Sequence, residues 1–381
     1  MPDTPAPAWA RTALRIRWPL FVALVCLLPF ALSDVWVQML VFVGLFVVLG
    51  LGLNVVVGLA GLLDLGYVAF FAAGAYTMGL LTSPGSPIDS GLNFWLILPL
   101  GVLIASGVGL LLGLPVLPLR GDYLAIVTLG FGEIIRLFLI NRDDLTRGSQ
   151  GLSAIPRPEL FGYRIDSFTA WFYFVIAAAV LVGFCTARLR DSRIGRAWEA
   201  IREDEDVAAA MGVNTTKYKL LAFATGAAIG GLGGVIYASF IGFISPAAFS
   251  LQVSIDVLAI VIIGGMGSTP GVILGSLILI GIPRILQFRE TGDFLARLEW
   301  LRDGLNGLIG AFDAALPGSI GRLPPAETWG ARLADDTRFI IFGALLVIVM
   351  VVRPSGLWPS SRRRLEFAHD EAEPSAPVSA A

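Results

Sequence analysis

Three ionisable residues fall inside otherwise apolar stretches of this sequence: Asp64, Glu133 and Arg136. Hydrocarbon does not solvate charge, so such side chains must face protein or water and find partners. Glu133 and Arg136 are three apart on one helix face, a spacing that suits a mutual ion pair. Asp64 lies in Gly58-Leu-Ala-Gly61-Leu-Leu-Asp64-Leu-Gly66, a glycine-rich interruption of an apolar block. A second interruption, Gly264-Gly265-Met-Gly267-Ser-Thr-Pro270-Gly271, lies in the other half of the chain. Interrupted helices at corresponding places in two halves, an inverted-repeat character, point to a substrate path near the membrane midplane, because broken helix ends leave N–H and C=O groups free. Asn54, Gly58, Gly61, Asp64, Gly66 and Tyr67 are the candidate pathway residues of the first break. Gly264, Gly265 and Gly267 are those of the second. Tight turns between short helices are the structural alternative.

The rest of the inventory excludes most chemistry. The single histidine is His369, in the terminal tail, and the only lysines are Lys217 and Lys219. No G-x-x-x-x-G-K-[ST] run exists, so the chain offers no usual P-loop for ATP. No metal-ligand cluster and no Ser/His/Asp set is available. Cys26 and Cys185 both sit in apolar blocks and read as small core residues, with no disulfide expected. No cofactor is expected, and a basic face with aromatic platforms, as nucleic acid requires, is missing.

The elements that hold these residues are membrane helices. With 56% hydrophobic and 15% charged residues and a mean hydropathy of +0.79, the chain departs from soluble composition. The apolar residues gather in blocks long enough to cross a bilayer and lack barrel alternation, which leaves an all-α polytopic bundle in contact with lipid. Crossings are expected near 18–33, 36–57, 67–82, 94–116, 121–140, 169–188, 219–242, 254–265, 270–285 and 338–353. Arg11, Arg15 and Arg17 before the first run could suggest a signal peptide, with Ala31-Leu-Ser33 near a cleavage position. The chain re-enters the membrane at once, which favours a first transmembrane helix.

Basic residues at the N-terminus (1–17), in 188–219 and after Arg353 place these three on the cytoplasmic side. That agrees with ten crossings and both ends inside. The transmembrane domain then spans 18–353, with hydrophilic inserts at 141–168 and 286–337, and the tail 354–381 is acidic, rich in Pro and Ala, and disordered. In the second insert Phe294, Leu298, Leu301, Leu305 and Leu308 make one apolar helix face, suited to the membrane surface or the bundle. Gly226, Gly230 and Gly234, and less strongly Gly109 and Gly113, offer small-residue faces for close helix packing.

Between Asp191 and Gly212 charges of both signs are dense, in a pattern that reads as a short amphipathic helix, a turn, and a second helix stopped by Gly212. An ordered mixed-charge helix pair suits docking to a partner.

Five ordered stretches resemble the LivM/LivH-type permeases of branched-chain amino acid ABC importers. They are Gly52–Tyr76, Leu119–Arg136, Ser192–Arg202, Ile263–Ser268 and Arg353–Leu357. The Asp122-Tyr-Leu-Ala version is similar to the LivM side. The resemblance implies a type II ABC importer fold in the bacterial inner membrane. It implies a second, LivH-like permease subunit, two cytoplasmic ATPase subunits that bind the ATP, and a periplasmic or lipid-anchored substrate-binding protein. It also implies that 189–218 is the segment that meets an ATPase, through Ser192, Gly195, Arg196, Glu199, Arg202, Ala208 and Gly212. Two features depart from the family. Asp64 and Tyr67 stand where Ser and His are usual, so an acid could meet a substrate ammonium, and the 286–337 insert is long. A stand-alone secondary transporter or channel with inverted repeats, coupled through Asp64, Glu133 and Arg136, is the main rival; a membrane enzyme, for want of a nucleophile, base or metal ligands, is third.

The missing P-loop makes one prediction. The chain purified alone in detergent should hydrolyse no ATP, and turnover by the isolated chain, free of other proteins, would refute this reading.

Overall fold

The computed structural model describes residues 27–281, apart from Asp89, Leu117, Pro118, Arg120 and Phe161, together with Gly343, Val347 and 356–358. Most of the expected crossings at 338–353 and 18–33, the 286–337 insert with its apolar face, Cys26, His369 and nearly all of the tail lie outside the described residues.

Each of the other expected crossings is a helix. Helix α1 covers Asp34–Leu53 and runs on through a π-helical stretch, Asn54–Leu59. Then follow α2 (Val68–Thr82), α3 (Phe94–Val116), α4 (Asp122–Asn141), α5 (Phe168–Arg190), α6 (Arg193–Glu203), α7 (Glu205–Ala210) and α8 (Thr215–Ile241). Helix α9 is Leu251–Gly264, and α10 is Thr269–Ser276 with a π-helical extension, Leu277–Gly281. Among the described residues five helices, Asp34–Leu59, α3, α4, α5 and α8, are long and apolar enough to cross a membrane; α2, α9 and Thr269–Gly281 are apolar but shorter. The chain is mostly helical, and the insert at 141–168 adds two-residue strands. There β1 (Leu152–Ser153) pairs antiparallel with β4 (Phe243–Ile244), and β2 (Glu159–Leu160) pairs with β3 (Tyr163–Arg164). A loop that must hold its shape at the end of a bundle satisfies its backbone groups by such local ladders.

Helix α8 is the hub and packs on α3, α2 and α1. Its glycines let the backbones meet. A Cβ on Gly74 would strike the Gly231 carbonyl, and one on Gly234 would strike the backbone of α2 at Phe71 and Ala75. On the α3 side Gly101 receives Val235, and Gly109 receives Ala227 at 2.5 Å from where its Cβ would be. Helices α1 and α5 pack through Val37, Val41, Leu45, Trp171, Phe172 and Val175. The result is a radial order: α1 is mostly inside the molecule, whereas α3, α4 and α5 keep broad apolar faces outward, as helices bathed in lipid do.

The two ends of the bundle differ. One carries the strands β1 to β4. The other carries α6 and α7, capped by local hydrogen bonds. Ser192 Oγ accepts from the Ile194 and Gly195 N–H groups at 3.1 and 3.3 Å, and Asp204 Oδ1 accepts from Asp206 and Val207 at 2.9 Å. Side-chain caps of this kind satisfy the orphan donors of a helix start.

The close α2–α8 contact predicts a cost for any side chain placed there. Gly74→Val should destabilise the protein by about 1–3 kcal/mol or more, seen as a lower melting temperature in detergent. Gly107→Ala should leave it unchanged, since nothing lies within 4 Å of that Cβ position.

Candidate functional site

The first break begins in the π-helical stretch. Shifting the hydrogen bonds by one residue, with Ala60 N–H donating to Val55 O at 3.2 Å, bulges the helix and frees carbonyls; such stretches recur at functional sites. Gly61, at φ +71°, then turns the chain in a conformation that L side chains avoid. Asp64 is fully buried, and its Oδ1 accepts the Gly66 N–H at 2.8 Å, a two-residue turn that fixes the loop. Its Oδ2 has no hydrogen-bond partner among the described residues. Next to it, Leu65 N–H donates to Thr128 Oγ1 at 3.0 Å, and Gly66 packs on the Thr128 carbonyl of α4 so closely that no side chain fits. The buried Tyr67 turns away from the loop: its hydroxyl donates to Gly226 O of α8 at 3.2 Å, and Gly52 and Gly230 make room for the ring.

The second break joins α9 to α10. Gly264 and Gly271 pack backbone to backbone, Gly265 and Gly267 hold φ of 111° and 79°, and Ser268 caps α10 by accepting from Gly271 N–H at 3.2 Å. The last carbonyls of α9 are used by a distant part of the chain. Leu357 N–H donates to Ile263 O at 2.8 Å and Trp358 N–H to Gly264 O at 3.0 Å.

The two breaks meet. Asn54 Oδ1 accepts the Gly267 N–H at 2.8 Å, and at Gly58 a Cβ would stand 2.6 Å from the same nitrogen. Onto this contact comes Arg202 of α6, whose Nη1 donates to Gly58 O at 2.8 Å and whose stem lies against Gly61. All nine candidate pathway residues therefore belong to one connected region, reached by α4 through Thr128 and by the chain at 356–358. That region abuts the end of the bundle carrying α6. Asn54, Gly58, Asp64, Gly66, Tyr67, Gly264, Gly265 and Gly267 are buried, and Gly61 is exposed.

Glu133 and Arg136 pair with each other: Arg136 Nε lies 2.9 and 3.1 Å from the two carboxylate oxygens, and Nη2 also bonds Oε1. The pair is partly exposed, at 40% and 29% of the side chains. It stands on α4, whose packed face, Leu124, Thr128 and Gly132, covers the first break.

The residues of the 189–218 segment divide. Ser192 caps α6, Gly195 is buried against the Leu189 and Arg190 carbonyls, Ala208 is buried, and Gly212, at φ +87°, ends α7. Arg196 faces outward, Glu199 is half-buried, and Arg202 turns inward to the breaks. Two outward apolar residues were not among the candidates: Val207 and Met211, 57% and 80% exposed, one turn apart. Their four-residue spacing among acidic neighbours was the available signal. Also not anticipated are the anchors of this segment, Trp198 Nε1 to Tyr218 O at 2.7 Å and the buried Lys219 paired with Glu205.

Known proteins resemble this chain over most of its length. The family model "Branched-chain amino acid transport system / permease component" matches residues 35–302. The high-affinity branched-chain amino acid transport system permease protein LivM of Salmonella typhimurium is 38% identical over 368 residues, 91% of this chain and 75% of that protein. The Escherichia coli LivM is 37% identical over the same shares. The Escherichia coli permease LivH is 28% identical over 258 residues, 64% of this chain and 81% of that protein. No solved structure matches the chain. The family model's match over most of the chain, with LivM relatives at 37–38% identity over 91% of it, shows that this chain belongs to the family of branched-chain amino acid transport system permease components.

Proposed function

We propose that the chain is the membrane-spanning permease subunit of an ATP-binding-cassette importer for branched-chain or related amino acids in a bacterial inner membrane. It works with a LivH-like second permease, two cytoplasmic ATPases and a substrate-binding protein. The observation that carries this reading is the convergence of the family's five stretches on one junction. Gly52–Tyr76, Leu119–Arg136, Ser192–Arg202, Ile263–Ser268 and the end of Arg353–Leu357 meet through Gly66–Thr128, Asn54–Gly267, Arg202–Gly58 and Leu357–Ile263. Residues far apart in sequence are held together where a transport path must open and close.

The end bearing α6 and α7 is the cytoplasmic one in this reading. The basic residues of 188–219 support it, and the segment at 356–358 ends beside the same break. The ATPase docks on the outward face of α6–α7, where Arg196 offers charge and Val207 with Met211 offers an apolar anchor. Apolar side chains this exposed on a solvated helix suit a partner's groove. The path runs past the two breaks, and Asp64 is its most specific group. A buried carboxylate oxygen without a partner costs several kcal/mol, which a substrate ammonium would offset when the loop opens.

The test is uptake of labelled leucine, isoleucine and valine into proteoliposomes holding the four kinds of subunit. ATP-dependent uptake is expected, and its absence in an assembled, ATP-hydrolysing complex refutes the assignment of substrate. Two variants probe the parts. Met211→Glu should weaken co-purification of the ATPase by about tenfold, the scale of one interface anchor. Asp64→Asn should lower uptake or alter substrate preference while the complex still assembles. Normal uptake of every substrate by Asp64→Asn would reduce Asp64 to its turn with Gly66.

A further inference from the structure

Arg202 stands in the segment assigned to ATPase contact, yet its guanidinium points into the bundle. Its Nη1 donates to Gly58 O at 2.8 Å, within the π-helical stretch of the first break. A Cβ at Gly61 would stand 2.7 Å from Arg202 Cγ and 3.3 Å from its Cα, so the backbone of α6 itself abuts this break. The second break is in reach too. A Cβ at Gly267 would stand 4.0 Å from Arg202 Nη1 and 3.5 Å from Gly58 O, and Gly267 N–H is held by Asn54 Oδ1. Among the described residues Arg202 makes no salt bridge, so its strongest bond is to the backbone of the break.

The rest of the segment is fastened elsewhere. Trp198 Nε1 donates to Tyr218 O at 2.7 Å, and Lys219 pairs with Glu205, which ties α6 and α7 to the start of α8. The segment therefore contacts the long helix α8, the end of α5 through Gly195 and Ser192, and the junction of both breaks, where Arg202 makes a side-chain hydrogen bond from α6. The contact with α8 is made to a continuous helix. The breaks are the parts of α1–α2 and α9–α10 whose backbone can reorganise, because their hydrogen bonds are not closed within one helix.

Building on the proposed function, we infer that Arg202 is the positioning residue that links the ATPase-docking segment to the two breaks. A displacement of α6 carries the guanidinium, and with it the Gly58 carbonyl and the Asn54–Gly267 contact. The planar, always-charged fork suits this task; a lysine reaches a carbonyl as a point charge without fixing direction.

The experiment measures ATP hydrolysis and labelled leucine uptake in the same proteoliposomes, with the full complex carrying wild-type chain, Arg202→Ala, Arg202→Gln or Arg202→Lys. Arg202→Ala and Arg202→Gln should assemble and hydrolyse ATP, but transport per ATP should fall about tenfold or more, the scale of one hydrogen bond from a charged donor. Arg202→Lys should recover part of it. Unchanged transport per ATP overturns the proposal. So does a loss of assembly in both Arg202→Ala and Arg202→Gln, which makes Arg202 a structural residue, and so does a fall of hydrolysis in step with uptake, which makes it an ATPase contact. A wild-type complex that hydrolyses ATP without uptake refutes the proposed function instead, and separates that failure from this one.

Discussion

A membrane helix satisfies its backbone groups within itself, and an interrupted one cannot. That constraint organises the described part of this molecule. The first interruption leaves Gly58 O, the N–H groups of Leu65, Gly66 and Val68, and the turn at Gly61 in need of partners. The carbonyl and the three N–H groups find partners on different elements: Arg202 of α6, Thr128 of α4, Asp64 within the loop, and Ser254 of α9. The second interruption is served by Asn54 of the first and by the backbone of 357–358. The breaks are therefore where the chain's separate segments are obliged to meet.

Close packing makes the arrangement possible. Side chains at Gly66, Gly74, Gly264 or Gly271 would collide with backbone, not with the ends of flexible side chains. Glycine here gives up side-chain burial in exchange for backbone contact, the means by which apolar helices associate when lipid is as apolar as the protein. The apolar bulk is supplied by their neighbours, with Phe70, Phe249 and Tyr67 among the fully buried residues.

The charged residues sort by surroundings rather than by number. Glu133 and Arg136 satisfy each other locally, so they need little from the fold. Lys219, almost wholly buried, is neutralised by Glu205 across two helices, which fixes α7 against α8. Asp64 is different, with one oxygen committed to Gly66 and the other left without a hydrogen-bond partner among the described residues. Arg202 differs again, being a cation spent on a backbone carbonyl.

Much of this was legible in sequence because it rests on local rules. Apolar blocks become helices wherever they occur, so eight of the expected segments were readable as helices, with ends close to those observed among the described residues. Glycine and proline interrupt helices by their own backbone preferences, so the two turns between helices, at 60–67 and 265–268, could be placed. Residues three apart on a helix must be neighbours, so the Glu133–Arg136 pair could be anticipated as well. The pairings between distant segments were not legible. Nothing in the spacing of Asn54 and Gly267, or of Gly58 and Arg202, says that one will accept or donate to the other. Nor does Tyr67, read as a pathway residue beside Asp64, reveal that its hydroxyl belongs to α8. Such contacts depend on which faces the helices bury and on how closely glycine lets them approach. The chain's local code determined the helices, their interruptions and the charged segment between them; only tertiary packing decided that the interruptions share one junction and that α6 reaches into it, because hydrogen bonds left open by a broken helix can be closed only by whatever the fold brings near.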